Sequence, residues 1–490
     1  MPIMERSCRS ILTDRHYKIL KGCFMKVVLK KIKPLEFETL HSSITEVYDG
    51  SLYEARIERA LNLAKQEGLS HLAVYADREH FANLHYFTGF DPRFEEALLL
   101  LTEGKKPLLL VGNEGFSYCK VISFDIDIML YYNFNLAGMP RFEETIDSIQ
   151  EAFDKVEIDE ESRVGLVGWK FYEDCEGLDG RYIYDVPHYI VESLKKRVKE
   201  GRIENATSLL SCASKGLRSN LEAQELAVLE VAGTMTSRGI YNLMKNLKPG
   251  MREIEAAANL NLNGNPLVAH PNVNFTLPGI RQGLASPKEN KLEYGSVWNA
   301  GLGYRGAMVA RTGVFCASSD EVKEEFKDVW EKAYIPYFKI MAVWYETVAI
   351  GVTGKHVVET IQKKVPEYEN LGIALNFGHL THSEEWTDGL FTLTKGIPLR
   401  SGMAIQCDII SNPPGLPGVH IEDGLALADA KLRGELKANF PESWQRIEQR
   451  RKMMKEVLGI NISDDILPFS DIQGVFHPWA ANLETIMAIE

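Results

Sequence analysis

The first half of the chain alternates short apolar runs with amphipathic ones. Residues 69–76 form a nearly continuous apolar stretch that stops at Asp77-Arg78, which predicts a buried strand. Residues 83–88 read as a second strand ending at Gly89. Residues 97–102 and 107–112 flank a Gly104-Lys105-Lys106 turn, the pattern of a hairpin. Helical spacing runs over 142–156, a further strand over 164–169, and a helix over 189–198 whose basic end precedes Gly201. Such alternation predicts an α/β domain over 45–205.

The pattern changes in the second half. Ser219-Asn220-Leu221-Glu222 reads as a capping box opening a long helix, with apolar residues at 226, 229, 240, 243 and 247 on one face. Lys248-Pro249-Gly250 stops that helix, and another runs from Glu253 toward Gly264. Short glycine-punctuated strand patterns follow at 295–300, 306–316, 400–411 and 418–428, which predict a curved antiparallel sheet. Helices near 319–348 and 355–365 interrupt it, and 430–456 is charged and helical. The expected division is a lead-in over 1–44, the α/β domain over 45–205, a sheet domain over 206–430 and a helical tail over 431–490.

Composition narrows the function classes. The 490 residues carry 55 Lys+Arg against 68 Asp+Glu, a net charge of −13, which argues against a nucleic-acid partner. No apolar run approaches the ~18 residues of a membrane span. The seven cysteines, at 8, 23, 119, 175, 212, 316 and 407, include no Cys-x-x-Cys pair, so reduced thiols and a cytoplasmic setting are expected. Residues 1–24 are basic without an apolar signal core and read as a disordered extension, with Met25 as an alternative start.

The order helix, Lys-Pro-Gly turn, helix, His270, Gly-rich strand pair resembles the "pita-bread" family of creatinase, prolidase, aminopeptidase P and methionine aminopeptidase. Tyr75-Ala76-Asp77 and the run Leu84-His85-Tyr86-Phe87-Thr88-Gly89-Phe90 resemble its creatinase-type N-terminal domain. The resemblance covers roughly 45–430 and implies an α/β (α+β) fold. It also implies two metal ions held by Asp, Asp, His, Glu and Glu. Here Asn299 stands at the first Asp and Met308 at the second. Gly378-His379 supplies the His, Asp408 follows Gly402-Met403 at the fourth position, and His420-Ile421-Glu422-Asp423 supplies Glu422.

That set lacks the bridging carboxylate, and a thioether is a poor partner for Mn²⁺, Zn²⁺ or Co²⁺. A dinuclear centre is therefore not expected, and no metal or other cofactor is assigned. Creatinase is the family precedent for metal-free work, and His270 occupies the region of its acid/base histidine. Its carboxylate before Arg-Thr is replaced by Ala310, which argues against creatine itself. The expected activity is metal-independent hydrolysis of a C–N bond in a small amide, amidine or short peptide. His270, His379, Asp408 and Glu422 would be catalytic, and Asn299, Arg311 and His420 would contact substrate. One alternative is an Xaa-Pro aminopeptidase with a single cation on His379, Asp408 and Glu422. Another is a non-catalytic pseudo-peptidase that binds a peptide or partner. The family also implies a homodimer.

Overall fold

Apolar residues with no polar face need cover on both sides, and the first sheet supplies it. The computed structural model describes residues 25–45, 48–276, 283–373 and 377–490. The expected disordered extension over 1–24 lies outside them. Strand β1 is Val27–Lys31. Seven strands follow: β2 (His71–Ala76), β3 (Ala97–Thr102), β4 (Leu108–Val111), β5 (Asp127–Tyr131), β6 (Thr145–Ile146), β7 (Val164–Val167) and β8 (Ile203–Asn205). They form one mixed sheet in the order β6-β5-β4-β3-β2-β7-β8, antiparallel only at β2–β3 and β3–β4. Every residue of β2 and β4 is buried, as the runs require.

The second sheet contains β9 (Asn272–Thr276), β10 (Val297–Tyr304), β11 (Ala307–Val314), β12 (His379–Leu380), β13 (Asp388–Gly389), β14 (Ala404–Ser411), β15 (Val419–Leu427) and β16 (Ile466–Pro468). Its order is β13-β12-β14-β15-β11-β10-β9, with β16 paired to β15, and all pairings are antiparallel. Strand β17 (Thr485–Ile489) pairs with β1. Alternate residues face opposite sides. Ile405, Cys407 and Ile409 of β14 join the main core, whose members include Tyr337 and Trp344 of the Ile335–Thr347 helix. The Tyr337 hydroxyl donates to the Ile409 carbonyl at 2.7 Å and accepts from Ile421 N–H at 2.8 Å, tying β14 to β15 from behind. The opposite face is left for polar side chains.

Several expectations need correction. Residues 83–88 are not a strand but the helix Ala82–Thr88, closed by Gly89 at φ 68°. The glycine is a left-handed helix cap rather than a strand end. The expected helix over 142–156 is confined to Ile149–Lys155. The capping box opening the Ala223–Asn246 helix sits three residues later, formed by Glu222 and Glu225. The span 431–490 is helical only in its first part. Its remainder supplies β16 and β17, and buries Ile466, Leu467, Ile486 and Met487. The lead-in contributes β1 to the same unit.

Candidate active site

The register of the second sheet lines up the polar positions. Asp408 pairs with Glu422, and Glu422 with Ala310. Ala310 pairs with Gly301, and Gly301 with Asn272. One pair along, His379 is opposite Gln406. His379, Asp408, Glu422 and His420 therefore project from three strands onto one face. Glycine at 378 makes this possible: its φ is 125°, and a Cβ there would stand 2.3 Å from the Gln406 carbonyl oxygen.

His379, Asp408 and Glu422 are buried, and each offers a ligand atom within 4.8 Å of the others. His379 Nδ1 lies 3.1 Å from the Leu380 carbonyl oxygen. A carbonyl only accepts, so Nδ1 carries a proton, and the ring's other nitrogen, Nε2, faces the carboxylates. That Nε2 is buried without an aligned hydrogen-bond partner, as is Glu422 Oε1. Glu385 Oε1 approaches His379 Nε2 at ion-pair distance, 2.9 Å, and Asp408 Oδ2 stands 3.8 Å away. Trp386 stacks on the imidazole with ring centroids 4.1 Å apart. His420 Nε2 lies 2.7 Å from Asp408 Oδ1 and 3.7 Å from Glu422 Oε2.

Three carboxylates crowd this pocket. Burial pushes the Glu422 carboxyl well above the usual carboxylate range, and Asp408, Glu385 and a hydrogen bond to the Glu385 carboxyl push it further. Burial alone would lower the His379 pKa. Glu385 and Asp408 outweigh it and hold the ring above its ordinary value. Carboxyls crowded this closely need a proton or a cation among them.

The donor set fits one divalent cation. It has two carboxylates and an imidazole whose other N–H is held by a backbone carbonyl, the usual support of a metal-binding histidine. It does not fit a pair. Met308 offers a thioether, Ala310 offers nothing, and the Asn299 amide donates to Asn274 Oδ1 at 3.3 Å.

The other expected residues lie elsewhere. Arg311 projects from the opposite face, where its guanidinium is buried against Asp423 at 2.9 Å and the carbonyls of Ala310, Glu422 and Ile472. It fastens the sheet and is not free to contact substrate. Asn299 is on the site's face but two strands from His420, across Thr312. His270 is exposed, and its Nε2 lies 3.2 Å from the Leu284 carbonyl oxygen. No hydrogen bond or ion pair among the described residues joins it to His379, Asp408 or Glu422. The sequence reading passed over Glu385 and Trp386 as site members. Their proximity to His379 in the chain was the one available signal.

The curved antiparallel sheet, backed by helices and joined to a mixed sheet, defines the pita-bread fold, and the resemblance read from the sequence holds at the level of fold. A prolidase from Pyrococcus horikoshii aligns with a TM-score of 0.57 and 17% identity, over 76% of this chain and 95% of its own. A dipeptidase PepE from Mycobacterium ulcerans gives 0.57 and 18%, over 78% and 94%. An X-Pro aminopeptidase from Thermotoga maritima gives 0.56 and 18%, over 76% and 95%. No family model and no curated protein sequence matches the chain. Among the described residues, no helix is long and apolar enough to cross a membrane.

Proposed function

We propose that the pocket hydrolyses a C–N bond in a short peptide or other small amide, with one divalent cation held by His379, Asp408 and Glu422. The observation that carries this reading is the convergence of those three buried groups within 4.8 Å, with Glu385 a third carboxylate 2.9 Å from His379 Nε2. The solved structures of similar fold include a prolidase and an X-Pro aminopeptidase, which supports a peptide substrate.

A bound cation would polarise the scissile carbonyl and lower the pKa of a coordinated water. Glu385, beside His379 and in contact with Glu422, takes a proton from the attacking water. The same carboxyl then delivers it to the departing nitrogen, because an amide anion is too poor a leaving group. Asp408 is oriented by His420, and Trp386 holds the His379 ring in plane. His270 takes no part in these transfers.

A metal-free version of the same hydrolysis is the second reading. The crowding of Asp408 and Glu385 around Glu422 favours it, because a carboxyl kept protonated there relieves the like-charge repulsion without a cation. Assay of chelator-treated protein on a dipeptide panel that includes Xaa-Pro, with and without Mn²⁺, Zn²⁺ or Co²⁺, separates the two. Cation-dependent turnover that disappears in Asp408→Asn supports the first. Turnover insensitive to chelator overturns it, and no turnover under any condition points to a binding protein.

A further inference from the structure

The loop that carries Glu385 and Trp386 is built as a closed unit. Thr387 N–H donates to the Leu380 carbonyl at 3.0 Å, and the Glu384 carbonyl accepts from His382 N–H and the Thr381 hydroxyl, both at 3.1 Å. Its anchors come from outside the second sheet. Arg218, a wholly buried side chain in the segment joining the two sheets, contacts the Glu384 carboxylate through Nη2. Its Nη1 donates to Asn83 Oδ1 at 2.7 Å, and the Asn83 amide donates to the Gly168 carbonyl at 2.7 Å. The guanidinium is thus fixed to the first sheet's unit on one side and to the loop on the other. Five residues upstream, Ala213 N–H donates to Asp388 Oδ2 at 2.9 Å, holding the end of the loop. A third anchor is His382 Nε2, 3.3 Å from Glu225, which is paired to Arg56 at 2.7 Å.

An arginine is suited to this task. Its planar fork can serve two acceptors at once in fixed directions, whereas a lysine offers one compact charge. Glu384 and Glu385 are adjacent, so whatever fixes the first also limits where the second can point.

We propose that Arg218 is a positioning residue: through Glu384 it locks the 380–387 loop and so holds the Glu385 carboxylate against His379. The inference rests on the reading of Glu385 as the proton-transfer group. It makes the N-terminal unit a working part of the site, since Asn83 orients the arginine.

The test combines hydrogen–deuterium exchange with a double-mutant cycle on the full chain. In Arg218→Met, amides of residues 380–387 should exchange about tenfold faster, while the remaining strands of the second sheet keep their protection. Turnover should fall by up to about 100-fold, the cost of a small misplacement of a reacting group. Adding Arg218→Met to Glu385→Gln should cause no further loss, because both act through one carboxylate. Arg218→Lys should fall between wild type and Arg218→Met. Should Arg218→Met not fold, Glu384→Gln carries the same two measurements. Unchanged exchange in the loop, or losses that multiply in the double variant, would overturn the proposal. If the wild type turns over no amide, the proposed hydrolysis fails, and the exchange measurement still decides whether Arg218 locks the loop.

Discussion

Replacing Glu422 by glutamine should stabilise the cation-free protein while destroying its response to cation. Asp408 and Glu422 bring oxygens within 4.8 Å of each other. With both ionised and an effective dielectric of about 20, their repulsion is about 3.5 kcal/mol. Glu385 adds a further like charge. The raised Glu422 pKa shows that the fold disfavours its ionised form, so the variant should gain at any pH where the wild-type carboxyl ionises. The sign follows from linkage. The Glu422 pKa is raised on folding, so its stabilising effect is present below the unfolded carboxyl range and is lost as pH rises through the folded value. The glutamine cannot ionise and loses nothing. A cation at 100 times its dissociation constant adds about 2.7 kcal/mol to the wild type and little to the variant. Urea denaturation at pH 8 should therefore place the variant's midpoint above the wild type's in EDTA, and Mn²⁺ should raise the midpoint of the wild type alone. A variant less stable than wild type in EDTA, or equal stabilisation of both by the cation, would refute the reasoning.

Three other outcomes follow from the packing. Burial alone would raise the Glu225 pKa, but Arg56 and His382 pull it down to about 2. Its stabilising effect is complete above the ordinary carboxyl value and is lost as pH falls from there toward about 2. Glu225→Gln should flatten that part of an acid-denaturation curve. Tyr337→Phe leaves the Ile421 N–H and the Ile409 carbonyl without their hydroxyl partner behind the site, which should cost about 1–3 kcal/mol in urea denaturation. Gly378→Ala combines a positive φ with a Cβ 2.3 Å from a carbonyl oxygen. It should displace His379 and abolish cation-induced stabilisation in a thermal melt, even where the chain still folds.

Two of the three strands that carry the site were legible because they alternate, whereas His379–Leu380 is too short to show a pattern. The patterns at 306–316, 400–411 and 418–428 enclose Ala307–Val314, Ala404–Ser411 and Val419–Leu427. Asp408 and Glu422 stand out there as carboxylates inside apolar strands. The helix Ala82–Thr88 was misread because it is buried almost all round, which removes the polar face that marks helical period. Strands as short as Ile466–Pro468 carry too few residues to show alternation at all. Glu385 was missed for a different reason: its approach to His379 depends on a loop conformation set by Arg218, Ala213 and Glu225, residues about 170 positions away. His270 shows the converse, since similar sequence position did not bring it into contact with the buried trio.

The number of cations per chain tests the account most directly. Elemental analysis of protein purified without chelator and equilibrated with Mn²⁺, Zn²⁺ or Co²⁺ should find one equivalent in the wild type and none in Asp408→Asn. Two equivalents, or none under any loading, would contradict a pocket built for a single ion.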